Sequence, residues 1–304
     1  MSTTTTIGTS YAGQYAGEIV SKALFSASTL ENNLISFKPN VKYKTILKRL
    51  STGSLIQSAD CDFTADGTID LDERALEVVK LKVNLQVCKD DFMDDYLALE
   101  MAPSAHGDLP KSFSDFLIAE MQRKVANEME TKIWQNASEF SGFETLFAAD
   151  ATVIDVAATA ITAENVVAEL AKVHAAIPVE NITNPDTTIY LSQSVASAYV
   201  IALGGFAANG VGGNGTDAKG SQWYNGSSLS FAGIKIVVAN GLSQGKMVAS
   251  PKSNLFFGTS LMSDLNEVKV IDMQNIDGSD NVRFIMKMAA GVQYAYGADV
   301  VYYA

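Results

Sequence analysis

Histidine, cysteine and motif-forming glycine are scarce or poorly placed in this chain, and each shortage closes a class of function. Only two histidines are present, which leaves little material for acid–base chemistry. His106 lies in the loop-like Ala105-His106-Gly107, and His174 lies near the C-terminal end of a helical stretch, where a cation is favoured. Neither has a metal spacing such as H-E-x-x-H. No G-x-S-x-G elbow and no G-x-x-x-x-G-K-[ST] loop occurs. Gly210–Gly215 is glycine-rich, but no helical pattern follows it, so it reads as a loop and not as a phosphate cradle. The two cysteines, Cys61 and Cys88, are too few and too far apart for a metal framework and read as free thiols in a reducing compartment. No apolar run approaches the roughly 20 residues of a membrane helix. Met1–Ser10 is uncharged and Ser/Thr-rich, without the basic and apolar regions of a secretory signal. Basic charge is the minority sign, 22 Lys and Arg against 34 Asp and Glu, so the net charge is −12 and general binding to nucleic acid is disfavoured. No catalytic residue, cofactor or metal site is nominated.

What is present is an ordinary globular composition with 47% apolar residues, enough for a sizeable core, in a length that suits one large or two modest domains. Residues 1–33 read as an N-terminal arm. Residues 34–101 are the most polar structured region. Val79, Leu81, Val83, Leu85 and Val87 alternate with Lys80, Lys82, Asn84, Gln86 and Cys88, a strand with one apolar and one wet face. Lys42, Lys44, Lys48 and Arg49 make a basic stretch upstream; Asp66, Asp70, Asp72 and Glu73 lie between the two, beside the turn signal Asp66-Gly67. The expectation is a long hairpin with a basic base and an acidic tip, poor in core of its own and in need of a partner surface.

Downstream, Leu117, Met121, Val125, Met129 and Ile133 recur every four residues and predict a helix over 112–137, with Glu120/Lys124 and Glu128/Lys132 as i,i+4 pairs. A second helix is expected over Thr162–Ile177, with Val166, Val167, Leu170, Val173 and Ile177 on its apolar face and Pro178 as its stop. A short strand at 188–191, a helix at 194–203, a Gly/Asn-rich loop to 225 and a strand over 227–238 follow. The C-terminal part is β: 267–272, then Val282, Phe284, Met286 and Met288 in alternation, then 293–296 and 299–303, with Gly291 and Gly297 as breaks.

This order of arm, hairpin, long helix, α/β core and returning strands resembles the major capsid proteins of tailed bacteriophages. The most family-like text is Gly233-Ile234-Lys235-Ile236-Val237-Val238 before the turn at Gly241–Gly245, then Asn254–Gly258; Cys61-Asp62-Phe63-Thr64, Leu81-Lys82-Val83-Asn84-Leu85 and Cys88-Lys89-Asp90-Asp91-Phe92 share the look. The resemblance covers nearly the whole chain and rests on order and residue type. It implies an α+β fold with an N-terminal arm (1–33), an extended β-hairpin loop (34–101), a peripheral domain with the spine helix (102–161), an axial domain (162–250) and return strands of the peripheral domain (251–304). It also implies a non-enzymatic subunit that self-assembles as pentamers and hexamers into an icosahedral shell around a phage genome, in the cytoplasm of a bacterial host. Scaffolding would come from a separate protein or from a segment already removed; a portal and decoration proteins would be further partners. The same fold builds encapsulin nanocompartments, the alternative reading; a β-rich adhesin or an unrecognised hydrolase fits the composition less well. Within a shell, the expected interface residues are those of the hairpin: Lys42, Lys44, Lys48, Arg49, Asp66, Asp70, Asp72 and Glu73, the acidic tip of one subunit meeting a basic surface on the next.

One motif competes with this reading. Asp62-Phe63-Thr64-Ala65-Asp66-Gly67-Thr68-Ile69-Asp70-Leu71-Asp72-Glu73 places Asp62, Asp66, Asp70 and Glu73 at positions one, five, nine and twelve of a calcium loop, with Gly67 at six. Thr64 departs from the pattern at position three, Ser51-Thr52-Gly53-Ser54 breaks any entering helix, and only one copy exists. The segment therefore reads as a hairpin tip. Calorimetric titration with calcium at physiological ionic strength is expected to give no strong binding; a micromolar dissociation constant lost in Glu73→Gln would assign the site to calcium instead.

Overall fold

The computed structural model describes residues 28–53, 56, 68–88, 111–135, 138–203, 229–260, 269–274, 276 and 278–304. The elements in chain order begin with the single turn α1 (Ser28–Glu31), β1 (Ser36–Lys38), β2 (Lys44–Thr52), β3 (Ile69–Glu77), β4 (Val79–Cys88) and the long helix α2 (Lys111–Trp134). Then come α3 (Phe143–Ala149), β5 (Ile154–Val156), α4 (Val166–Ala176), α5 (Val179–Ile182), β6 (Thr187–Leu191) and α6 (Gln193–Leu203). The chain continues with β7 (Leu229–Phe231), β8 (Ile234–Val238), β9 (Met247–Pro251), β10 (Leu255–Gly258), β11 (Lys269–Asp272), β12 (Asn281–Tyr294) and β13 (Val301–Tyr303). The N-terminal arm up to residue 27, the Asp66-Gly67 turn, Cys61, His106 and the Gly/Asn-rich loop all fall outside the described residues.

Three sheets result among the described residues. A five-stranded sheet has the order β1-β10-β12-β11, with β4 also paired to β12; a six-stranded sheet runs β5-β13-β9-β6-β8-β7; β2 and β3 form a two-stranded ribbon. Strand β12 is fourteen residues long and antiparallel to three partners: β4 along Asn281–Ala290, β11 along Val282–Ile285 and β10 along Gly291–Tyr294. Its alternation sends Val282, Phe284, Met286, Met288 and Ala290 inward, where they meet Met121, Val125, Met129 and Ile133 of α2. The four-residue spacing read in the sequence is therefore the buried stripe of a helix about 36 Å long.

The six-stranded sheet has a core on each face. Tyr190, Val248 and Tyr302 point into the core under α2, while Ile189, Leu191, Met247, Ala249, Val301 and Tyr303 point into a second core closed by α4 and α6. Aromatic rings bind the two sheets: Trp134 lies 5.2 Å from Tyr190 and 5.5 Å from Phe143, and Phe147 lies 5.1 Å from Tyr294 and 5.7 Å from Tyr302. Carboxylates are buried beside these rings, Glu130 the most deeply. Glu130 on α2 accepts the backbone N–H of Thr29 at 2.9 Å and the Thr29 hydroxyl, which in turn accepts the Trp134 indole N–H at 2.9 Å. This carboxylate meets the Thr29 N–H, which has no partner within the α1 turn, and so the desolvation of its charge is offset.

Several expectations change. The strand at Val79–Cys88 does not pair with the basic stretch; β2 pairs with β3, and β4 joins the larger sheet beside β12. The acidic residues after 68 are themselves a strand, because Ile69 and Leu71 alternate with Asp70 and Asp72. The stretch 227–238 is two strands folded at Ala232-Gly233, where both residues have positive φ, 47° and 87°. Val167 is 45% exposed and lies off the buried face of α4, whose inward residues are Val166, Leu170 and Val173. Lys132 pairs with Glu139 at 2.6 Å and not with Glu128, which holds Lys124 at 4.0 Å. Strand β13 leaves the return strands and enters the six-stranded sheet between β9 and β5. Gly297 breaks the chain as expected; Gly291 does not. Strand β12 runs straight through it, and a Cβ there would stand 1.9 Å from the Glu77 carbonyl oxygen. Glycine at 291 lets the end of β3 cross β12 in contact.

Gly291→Ala is expected to cost the unassembled subunit about 1–3 kcal/mol by overpacking. Gly233→Ala, where nothing lies within 4 Å and only the positive φ is unfavourable, is expected to cost about 1 kcal/mol. Urea unfolding of the two variants checks the order; an equal or inverted order would mean that the crossing is loosely packed.

Candidate assembly interface

The ribbon of β2 and β3 is built by its register. Lys44 faces Glu77, Ile46 faces Ala75, Lys48 faces Glu73, Leu50 faces Leu71 and Thr52 faces Ile69; between them Thr45 faces Leu76, Leu47 faces Arg74, Arg49 faces Asp72 and Ser51 faces Asp70. Cross-strand partners point to the same side, so the ribbon has two unlike faces.

One face docks on the body. Leu47 and Leu76 are buried, Leu76 lying against Gly258 of β10. Arg49 donates from Nη1 to the Ala295 carbonyl at 3.0 Å and pairs with Asp72 through Nη2. The Leu50 N–H donates to the Tyr296 hydroxyl at 3.1 Å, and Gln293 Nε2 donates to the Ala75 carbonyl at 3.0 Å. The strongest tie is Arg74: its Nη2 sits 2.6 Å from Asp150 Oδ2, and its guanidinium lies 4.3 Å over the Tyr294 ring. Tyr294 donates its hydroxyl to the same Asp150 oxygen at 2.6 Å, and the Thr152 N–H donates to the other at 2.9 Å. Partial burial of Asp150 works against its charge, but the Tyr294, Thr152 and Arg74 donors outweigh that and hold its pKa well below the usual carboxylate range. Burial, then the bond to Asp150, pushes Tyr294 up to about 12.

The other face is open. Ile46 is 51% exposed, Leu50 55%, Ile69 65% and Leu71 71%. Apolar pairs alternate along it with the pairs Lys44/Glu77, 3.0 Å apart, and Lys48/Glu73. A ribbon with this much uncovered apolar surface is a candidate contact surface.

The predicted interface residues are placed as follows. Lys42 is exposed just before β2; Lys44, Lys48 and Arg49 are on β2; Asp70, Asp72 and Glu73 are on β3; Asp66 lies outside the described residues. The expected separation of a basic base from an acidic tip is corrected: Lys48 stands opposite Glu73 and Arg49 opposite Asp72, so much of the charge is matched across the ribbon. The calcium-loop pattern also loses its exit helix, because Asp70 and Glu73 sit in a strand. Among the described residues no cluster of His, Cys, Asp or Glu could hold a metal ion, and no helix is long and apolar enough to cross a membrane. Cys88 is a free thiol. Reading the sequence missed Arg74, Asp150 and Tyr294, whose partners lie 76 and 144 positions apart in the chain.

Asp150→Asn is expected to lower subunit stability by about 1–3 kcal/mol and to speed hydrogen exchange in 44–52 and 69–77. The sign with pH follows from the shifts. The depressed Asp150 contributes in full above about pH 5 and loses its contribution as pH falls past 3.8. The raised Tyr294 contributes below pH 10 and loses its contribution as pH rises towards 12. Denaturation at several pH values should therefore show a shallower acid slope in Asp150→Asn; an unchanged slope would locate the acid sensitivity elsewhere.

No protein-family model and no curated protein matches this chain. Solved structures do. The capsid of the empty GTA particle matches with a TM-score of 0.57 at 14% identity, over 91% of this chain and 89% of that one. A structure from Gordonia phage Cozz matches at 0.59 and 11% identity, over 90% and 85%. The virus-like particle from Pyrococcus furiosus matches at 0.54 and 9% identity, over 96% and 100%. At such identities the likeness is one of architecture, and it spans about nine-tenths of this chain: this chain has the α+β fold of phage capsid subunits.

Proposed function

We propose that this chain is the major capsid protein of a tailed phage, a structural subunit that assembles as pentamers and hexamers into an icosahedral shell enclosing the genome. The observation that carries the proposal is a fold shared with capsid subunits along about nine-tenths of both chains. In this reading residues 1–33 are the arm, and the peripheral domain, about 102–161 and 251–304, supplies α2 and strands β10, β11 and β12 of the five-stranded sheet. The axial domain, about 162–250, supplies α4, α6 and strands β6 to β9 of the six-stranded sheet. The ribbon of β2 and β3 is the core of the extended loop in 34–101, and it lies over a neighbouring subunit. Covering Ile46, Leu50, Ile69 and Leu71 contributes on the order of 1 kcal/mol each, and the contact is repeated at every subunit of a closed shell. No catalysis is required of the subunit. Its partners are its own copies, a scaffolding protein, a portal and decoration proteins, with assembly in the host cytoplasm.

The likeness to the Pyrococcus furiosus virus-like particle favours a second reading, an encapsulin-type compartment. Contents separate the two: nuclease-protected nucleic acid for a phage shell, protein cargo for a compartment.

Purified protein is expected to form rings, sheets or shells in negative-stain micrographs and fast-sedimenting species in the ultracentrifuge. Leu50→Asp with Leu71→Asp should leave circular dichroism unchanged and deplete those species. A wild-type chain that stays a folded monomer across salt and pH would defeat the proposal.

A further inference from the structure

Strand β4 has a neighbour on one side and an open edge on the other. β12 pairs with all ten of its residues, and among the described residues no strand pairs with its outer side. An open edge of that length offers a row of backbone N–H and C=O groups to any extended chain. The two faces that flank the edge differ in chemistry.

Toward α2, β4 presents Val79, Leu81, Val83, Leu85 and Val87. Their partners across the register, Ala290, Met288, Met286, Phe284 and Val282 of β12, are all buried. The β4 row is not: Val79 is 38% exposed and Leu85 37%, while Leu81, Val83 and Val87 are half-buried. The long helix thus covers β12 and stops short of β4. A cavity of about 300 Å³ lies between helix and strand, with Leu81, Val83, Val125, Met129 and Met288 as its apolar lining. Glu128 and Glu139 also line it, but their charges are matched by Lys124 and Lys132.

Away from α2 the edge is basic. Lys80 and Lys82 are exposed on β4, and the register sets Lys82 opposite Lys287 and Gln86 opposite Arg283. Arg283 donates to Gln86 Oε1 at 2.9 Å, and among the described residues no carboxylate pairs with any of these four cations. Like charges directly across a strand pair oppose folding, so an anion at this edge relieves the subunit. The signs also select among strands. A second β4 brings two more lysines to the same face, and Lys on an edge strand is a known guard against such self-pairing. A strand of opposite sign meets no such barrier.

We infer that the outer edge of β4 is a docking site for a strand of another protein in which acidic and apolar residues alternate. The main chain of that strand extends the five-stranded sheet. Its carboxylates meet Lys80 and Lys82, and its apolar residues enter the cavity beside Val125 and Met129. The inference goes beyond the shell reading and does not need it, because binding can be read on the subunit in any state of assembly.

Fluorescence anisotropy on the full chain, with a labelled synthetic peptide of alternating Glu and Val, is the test. The peptide should bind saturably; no binding overturns the inference. A peptide of the same composition, with Glu and Val in separate blocks, should bind roughly tenfold more weakly, because only alternation serves both faces; equal affinity overturns the inference. Methylating the amides along one edge of the peptide should abolish binding, and methylating those along the other should leave it; any other pattern counts against strand pairing and overturns the inference. Lys80→Glu with Lys82→Glu should weaken binding roughly tenfold with circular dichroism unchanged. Lys38→Glu with Lys235→Glu, an equal change in net charge on other strands, should not; an equal loss in both pairs, or none in the first, overturns the inference. Should the first variant misfold, hydrogen exchange on the wild-type chain decides: the peptide should slow exchange within 79–88, and slowing only elsewhere, or none, overturns the inference. Carbodiimide cross-links from Lys80 or Lys82 to a carboxylate of a second copy, formed without peptide, would show that the chain itself takes this edge and would overturn it equally.

Discussion

The register of β12 is the constraint on which the rest of the structure depends. One strand of fourteen residues pairs with β4 and β11 over its first ten and with β10 over its last four. Because side chains alternate with a period of two, that register alone decides that Phe284, Met286 and Met288 meet the long helix and that Arg283 and Lys287 face outward. A slip by one residue would bury the cations and expose the core. The same strand then carries Gln293 and Tyr294 to the ribbon, so hairpin, helix and sheet all take their positions from one line of backbone hydrogen bonds.

Polar chemistry supplies what the apolar core does not. The ribbon has little core of its own, as its composition implied, yet it is not a loose arm at its base. Arg49, Arg74, Gln293 and Tyr296 fasten it through charge-assisted or backbone hydrogen bonds. Glu130 does the same for the turn that precedes β1, and Glu144 accepts from the N–H and hydroxyl of Ser243 at 2.7 and 2.8 Å, tying α3 to the turn before β9. Each of these groups lies at the edge of a packed cluster, where a charge can keep its donors while it excludes water.

Local periodicity in the sequence was a sound guide to elements and a poor one to their partners. The stripe Met121, Val125, Met129, Ile133 and the alternation from Val79 to Cys88 are both real, because each reports one face against a core. Pairing was not legible: β4 could be matched to the basic stretch as readily as to β12, since nothing in a single strand names its neighbour. Strand β3 was hidden by its charges, which read as a turn until Arg49 and Lys48 are seen across from them. Of the residues expected at an interface, the pairing of Lys44 with Glu77, Lys48 with Glu73 and Arg49 with Asp72 across the ribbon was not legible. Glu130 could have been suspected, because it falls on the α2 face of Ala126, Ile133 and Trp134; Asp150 could not, because its partners come from β3 and β12.

The six-stranded sheet has a core on either side, with Tyr190, Val248 and Tyr302 turned to one and Ile189, Met247 and Tyr303 to the other. Neighbouring residues of one strand thus belong to different cores, so neither core can melt without breaking strands that the other needs. The subunit behaves as one cooperative block. In the shell proposed above, a strain passed from one copy to the next would find no hinge between these two cores and would fall on the ribbon, which has little core of its own.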